Sequence, residues 1–392
     1  MQGIEKAYCD VCIQALINAW QVLMEKPVAD NLRRVRYGKG DTLGLDAATE
    51  IAIYQQVISF DQHAILVTEE LDTLSRDRWP VEVDPIKQPL MLFSDPTDRS
   101  RQLEKFLTSI APTKEQQSEK TASLIKKYDV VVEWEKLFEK PATITGPTGS
   151  ITCIRKGTII FSLILNYITG NIFITAPTGI YYLRLTDLAH TALKKIDVDY
   201  LVAHGKKLDF MPTEETCTST DDQQRFITFL GKTGYQENLD DCMIFVEHPE
   251  RFIPENHQEP GGPARILYLS RLQKGFGPIG FILANGEKIG EWIPWLAFAK
   301  FARNSHGNPA LKIYEIAIDR PWTKEGVLMS TAPPYSIFQK MGDQQQFYLD
   351  VSRLRKFPHP SRFRSMIVIT PFDNNLIINT MHQHQYREIF LE

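Results

Sequence analysis

Apolar residues recur at helical spacing along the first stretch of the chain. Cys9, Cys12, Ile13, Leu16, Ile17 and Trp20 line one face of residues 4–25, and Pro27 closes the run. A second helix is expected from Asp46, a candidate cap, through Ile51, Ile53, Tyr54 and Val57. Between the two, residues 33–41 are basic and glycine-punctuated and read as a connector. The period then changes. Residues 64–68 form a short apolar run of strand length, residues 72–88 are polar and read as a loop, and residues 90–93 are the next strand. Leu103, Phe106, Leu107 and Ile110 return to the i, i+3, i+4, i+7 stripe of a helix. Residues 113–120 are polar and 121–139 helix-like. Alternation over 159–165 and 171–175, with glycines at 157 and 170, predicts antiparallel strands.

Beyond residue 182 the pattern weakens. Residues 227–230 and 242–246 are strand candidates, with 221–229 alternatively the start of a helix; Pro249, Pro254, Pro260, Gly261 and Gly262 mark a loop. Apolar segments resume at 266–269 and 281–284, followed by a helical 296–302. Residues 333–392 hold strand-like 347–351 and 365–370, a basic run at 353–356, and His382 and His384, which read as part of a solvated tail. Paired helices followed by mixed strands and helices make the fold class α+β in layers.

Composition bounds the function. The 392 residues are 43% hydrophobic and 23% charged with a net charge of −4, an ordinary globular balance without the basic excess of a nucleic-acid binder. No run of 18 apolar residues suggests a membrane span, and the first residues lack the pattern of a signal peptide. Five cysteines do not make a disulfide framework, and Cys9 and Cys12, without a second pair, read as core packing. A cytoplasmic protein with reduced thiols is expected. A homodimer stays open.

The candidate chemistry lies at Leu92-Phe93-Ser94-Asp95-Pro96-Thr97-Asp98-Arg99-Ser100-Arg101. A strand end presents two acids three apart, stiffened by a proline, and a helix begins directly beside them with a hydroxyl and two guanidinium groups. A cation on the acids and a phosphate on the helix N–H groups would suit each other there. The plain alternative is a turn with a helix cap, since Asp, Pro and Ser all favour such positions. Two further acidic clusters stand at element ends: Asp41 with Asp46, and Glu69 with Glu70.

The order Asp…Asp, then Thr68-Glu69-Glu70 after a strand, then Asp95-Pro96-Thr97-Asp98-Arg99-Ser100, resembles the inositol monophosphatase and fructose bisphosphatase superfamily of Mg²⁺-dependent, often lithium-sensitive phosphomonoesterases. The resemblance continues through residues 149–157 and 167–173 and Gly179-Ile180-Tyr181, and more loosely over 265–332. It implies a five-layer α-β-α-β-α sandwich of the sugar-phosphatase type. Residues 1–180 would be the N-terminal half, with 102–145 an insertion serving as a surface helical hairpin or a lid. Residues 181–332 would be the C-terminal half and 333–392 an extension.

For the site, the resemblance implies Mg²⁺ held by Glu69, Asp95, Asp98 and the carbonyl of Thr97. Glu70 would orient a water, and Ser100 would align it with Asp46. Arg99, Ser100 and Arg101 would bind the phosphate of a small phosphorylated polyol or sugar. Two positions depart from the pattern. Arg99 replaces a glycine, and Ile293 follows Trp292 where the family has an aspartate, leaving Glu291 as the substitute or no acid at all. Beside the phosphatase stand two alternatives: a degenerate member that binds a phosphorylated ligand or protein partner without turnover, and a scaffold whose acids are only caps.

Overall fold

The computed structural model describes residues 3–37, 42–68, 90–139, 142, 146–156, 158–208, 293–294, 297–298, 300–303 and 306–307. It also describes, as strands only, Arg78–Trp79, Lys312–Ala317, Phe338–Lys340, Phe347–Leu349, Ser365–Thr370 and Arg387–Ile389. Two units emerge. The first comprises Met1–Leu208, Gly262–Tyr268 and Ile289–Ala297, and the second the remainder.

The first unit is a helical layer on a mixed sheet. Helix α1 (Ile4–Glu25) buries Cys9, Cys12, Ile13, Leu16 and Ile17 completely, as its apolar spacing requires. Both cysteines lie in the same core as Cys153, and burial pushes their thiols well above the ordinary value. After Pro27 come α2 (Val28–Leu32) and the short strands β1 (Arg34–Val35) and β2 (Thr42–Leu43), which pair antiparallel. The expected basic connector is therefore partly strand. Helix α3 (Gly44–Phe60) follows β2 directly. It starts two residues before Asp46, with Leu43 at the cap position and no side-chain cap. The Gly44 N–H instead donates to the Arg33 carbonyl at 2.8 Å. Asp46 is thus a first-turn acid rather than the cap.

The sheet has eight strands: β3 (Ile65–Thr68), β4 (Arg78–Trp79), β5 (Leu90–Asp98), β6 (Thr148–Arg155), β7 (Thr158–Asn166), β8 (Asn171–Ala176), β9 (Gly179–Arg184) and β10 (Lys206–Leu208). Their order is β10-β9-β8-β7-β6-β5-β3-β4, with only β3 and β5 parallel. Arg78 and Trp79 pair with β3, so the segment expected to be all loop contributes an edge strand. Gly170, at φ 67°, makes the predicted turn between β7 and β8, where a side chain would be strained. Seven residues of β6 and all six of β8 are buried, so these strands are covered on both faces, as a sheet inside a layered α/β sandwich must be. The first segment of this unit runs to Leu208, where β10 adds to β9 at the sheet edge.

Residues 102–145 contain α4 (Ser100–Ile110, which begins just before them), α5 (Lys114–Gln117), α6 (Thr121–Lys127) and α7 (Val130–Phe138). This segment docks on the helical layer. The Thr121 N–H donates to the Lys26 carbonyl at 2.9 Å, and Asn31 donates to the Thr121 hydroxyl at 2.9 Å. Trp134 of α7, 0% exposed, lies with its ring centroid 5.3 Å from Phe106 of α4 and 4.4 Å from Phe138. That contact gives a clear stability prediction. Trp134→Ala should cost about 3–5 kcal/mol, the range for emptying a buried large aromatic site, measured as a lowered urea midpoint.

In the second unit, β11 (Lys312–Ala317) pairs antiparallel with β14 (Ser365–Thr370) on one side and β15 (Arg387–Ile389) on the other. β12 (Phe338–Lys340) pairs with β13 (Phe347–Leu349). The strand expected at 365–370 is therefore present. The expected segments at 221–246, 266–269 and 281–284, and His382 and His384, lie outside the described residues. Among the described residues, no helix is long and apolar enough to cross a membrane.

Candidate active site

The motif strand is longer than the apolar run suggests. β5 continues through Asp95-Pro96-Thr97-Asp98, so the acids belong to the strand end itself. Asp95 pairs with Ser150 of β6 and Asp98 with Thr148, which sets Pro96 and Thr97 opposite the single residue Gly149. This is a bulge, and Pro96, lacking an N–H, is a residue a ladder must step around. The Asp95 Oδ1 then accepts from the Thr97 N–H at 3.1 Å, closing a local turn over the proline.

Two contacts hold this turn, and a third residue secures the strand end beside it. The Tyr167 hydroxyl, at the end of β7, donates to the Pro96 carbonyl at 2.5 Å. Thr97 and Thr49 hydroxyls lie 2.8 Å apart, joining the turn to the first two turns of α3. Glu50, beside Thr49, accepts from the Thr68 hydroxyl at 2.8 Å and from Tyr37 at 3.1 Å, fixing the end of β3. Thr68 pairs with Ser94, one residue before Asp95, so both parallel strands finish at this level. Crevices at the carboxyl ends of parallel strands are where open α/β sheets bind ligands.

Electrostatics place two of the expected residues together. Asp95 is 1% exposed and Asp46 5%. Tyr167 is pushed well above the ordinary phenol range, first by burial, then by the charges of Asp95 and of Asp46, with a contact from Thr97 pulling weakly the other way. Both buried carboxylates thus act on one phenol, and the 2.8 Å contact of Thr49 with Thr97 joins the elements that carry them. Asp46, in the first turn of α3, is also where the helix dipole favours an anion.

The turn passes into α4 through Arg99. Its backbone is left-handed (φ 65°, ψ 37°), and it occupies the cap position with no side-chain cap bond. Ser100 opens the helix half-buried and Arg101 is exposed. The Arg99 side chain, expected at the phosphate, is only 3% exposed, with Nε 4.0 Å from Asp98 Oδ2. Leu103, Phe106, Leu107 and Ile110 are buried as the stripe predicts, anchoring the helix that follows the motif directly.

Asp46, Asp95, Thr97, Asp98, Arg99 and Ser100 are therefore on contiguous elements, while Glu69 and Glu70 lie outside the described residues. Among the described residues, no three of His, Cys, Asp and Glu are grouped closely enough to hold a metal ion. The donors present are nonetheless hard oxygens, the kind Mg²⁺ takes. Asp46 and Asp95 supply carboxylate oxygens of that kind. Ile293, at the position where an aspartate is expected by resemblance, is helical and fully buried. Trp292 and Glu291 lie outside the described residues. Thr49, Glu50 and Tyr167 are supporting residues the sequence reading did not single out. Thr49 and Glu50 stand three and four positions after Asp46, one helical turn on, which is the only signal they carry.

No protein-family model matches the chain, and no curated protein matches it by sequence. Solved structures do. CysQ from Bacteroides thetaiotaomicron, a bacterial member of the inositol monophosphatase family, is 9% identical over 94% of this chain and 98% of its own, with a TM-score of 0.43. Leishmania major fructose-1,6-bisphosphatase is 9% identical over 97% and 96%, at 0.46. Staphylococcal IMPase-II is 9% identical over 96% and 92%, at 0.42. Each belongs by name to the inositol monophosphatases or the fructose-1,6-bisphosphatases. These TM-scores lie below 0.5, and the functional reading rests on the residues of this chain.

Proposed function

We propose that the chain is a Mg²⁺-dependent phosphomonoesterase acting on a small phosphorylated polyol or sugar inside the cell. The observation that carries this reading is the tie between α3 and the motif turn, the 2.8 Å contact of Thr49 with Thr97, which joins the element of Asp46 to the turn that carries Asp95 and leads directly into α4. Glu69, Asp95, Asp98 and the Thr97 carbonyl would hold the ion. When bound, Mg²⁺ would polarise the phosphoryl group and offset the charge that builds on it. The chain's own groups do the rest. Backbone N–H groups of Ser100 and Arg101 receive phosphate oxygens at the helix start. Arg101, exposed, adds a guanidinium for the substrate. The Ser100 hydroxyl and the Asp46 carboxylate align the attacking water, and Glu70 orients it.

The test is release of inorganic phosphate by the full chain from a panel of inositol and sugar monophosphates. Release is expected with Mg²⁺ and is expected to stop when EDTA removes it. A second reading, binding of a phosphorylated ligand without turnover, is favoured by the buried Arg99 beside Asp98 and by the buried Ile293. A thermal shift with a panel member but no phosphate release would select that second reading.

A further inference from the structure

Glu50 is a charged side chain where packing alone would call for an apolar one. It lies on the second turn of α3 and is 2% exposed. Taking a carboxylate out of water is costly unless it is hydrogen-bonded. Its two oxygens divide between two segments outside the helix. Oε2 accepts from the Thr68 hydroxyl at 2.8 Å, and Oε1 accepts from the Tyr37 hydroxyl at 3.1 Å. Thr68 is the last residue of β3 and the last that pairs with β5, and Glu69 and Glu70 follow it directly in the chain. The neighbouring Thr49 reaches the motif turn in the same way, with its hydroxyl 2.8 Å from that of Thr97. Two adjacent residues of one helix thus hold the two segments that lead to the candidate acids.

We infer that Glu50 is a positioning residue, whose carboxylate fixes the end of β3 from which Glu69 and Glu70 continue. The inference rests on the metal-dependent reading above and adds to it a residue that acts through another. The choice of a carboxylate has a physical reason. A hydrogen bond to an ionised acceptor is shorter and stronger than one between neutral groups. A glutamine of the same shape has a single acceptor oxygen to offer the two hydroxyls. A strand end held by such a bond keeps its orientation where the ladder stops. Groups that orient metal ligands in this way are typically worth about ten- to a hundredfold in metal affinity.

The experiment is calorimetric titration of the full chain with Mg²⁺ alone, beside melting curves recorded without the metal. Wild type, Glu50→Gln, Thr68→Val, Thr68→Ser and Tyr37→Phe are compared, all below the lowest melting temperature of the set. Valine keeps the shape of threonine and removes the donor, whereas serine keeps the donor. The expected result is that Glu50→Gln and Thr68→Val bind Mg²⁺ at least about tenfold more weakly. Thr68→Ser should bind as the wild type does. Tyr37→Phe, which removes the other bond to the same carboxylate, should lose much less affinity than Thr68→Val.

A lowered melting temperature in Thr68→Val with unchanged Mg²⁺ affinity would overturn the inference, since the bond would then serve stability alone. Failure of serine to restore binding would do the same. So would equal weakening in Tyr37→Phe and Thr68→Val, because the hold on β3 would then not be the cause. Each of those results leaves the metal-dependent reading standing. Absence of Mg²⁺ binding in every protein, wild type included, would overturn both together.

Discussion

Asp95→Asn is expected to lower Mg²⁺-dependent phosphate release by at least about a hundredfold, the scale on which removing one preorganised charged group acts on catalysis. The fold should survive intact. The turn bond from the Thr97 N–H goes to Asp95 Oδ1, and an asparagine oxygen at the same place can accept it. Thermal stability without Mg²⁺ should therefore hold. The rise in melting temperature that Mg²⁺ gives the wild type should shrink or vanish, because an ion that binds the native state stabilises it in proportion to its affinity. The measurements are initial rates and melting curves with and without the metal. If Asp95 were only a turn former, neither the rate nor the Mg²⁺ response would change.

What the sequence made legible was what depends on local periodicity. The stripe Leu103, Phe106, Leu107, Ile110 is buried as its spacing demands, and α1 occupies the run its apolar face marked out. The strands on either side of Gly170 followed from alternation and a turn residue. Where pairing partners decide, local pattern was insufficient. β5 runs on past its apolar stretch because β6 supplies a partner up to Asp98, across a bulge that no single-strand pattern reveals. Arg78–Trp79 is a strand for the same reason. Asp46 lies inside the helix rather than at its cap because the donation from Gly44 to the Arg33 carbonyl, a contact outside the helix, accompanies the earlier start of α3. The candidate site divides along the same line. Its acids were visible as a motif, whereas Tyr167, about 70 residues away in sequence, became visible only once the fold set β7 and the β5 turn on either side of β6.

Gly149→Ala is expected to be among the most destabilising single-methyl changes in the chain, at about 3 kcal/mol, the upper end of the overpacking range. The reason is space rather than backbone angle. A Cβ on Gly149 would come 2.2 Å from the Tyr167 hydroxyl oxygen and 3.1 Å from the Pro96 carbonyl oxygen. Those two atoms are the donor and acceptor of the bond that holds the bulge, and Tyr167 is fully buried. The ring has to move, and the Pro96 carbonyl then loses its partner in a dry environment, a loss of about 1–3 kcal/mol on its own. Tyr167→Phe alone should cost an amount in that lower range. Combined with Gly149→Ala it should cost less than the two added, since the hydroxyl that clashes is the one removed. A double-mutant cycle in urea would read the coupling directly. Because the displaced turn carries Asp95 and Thr97, the alanine variant should also lose Mg²⁺-dependent phosphate release under conditions where it remains folded. Full additivity of the two substitutions would mean that Tyr167 does not hold the motif turn, and the support assigned to Asp95 would have to come from elsewhere.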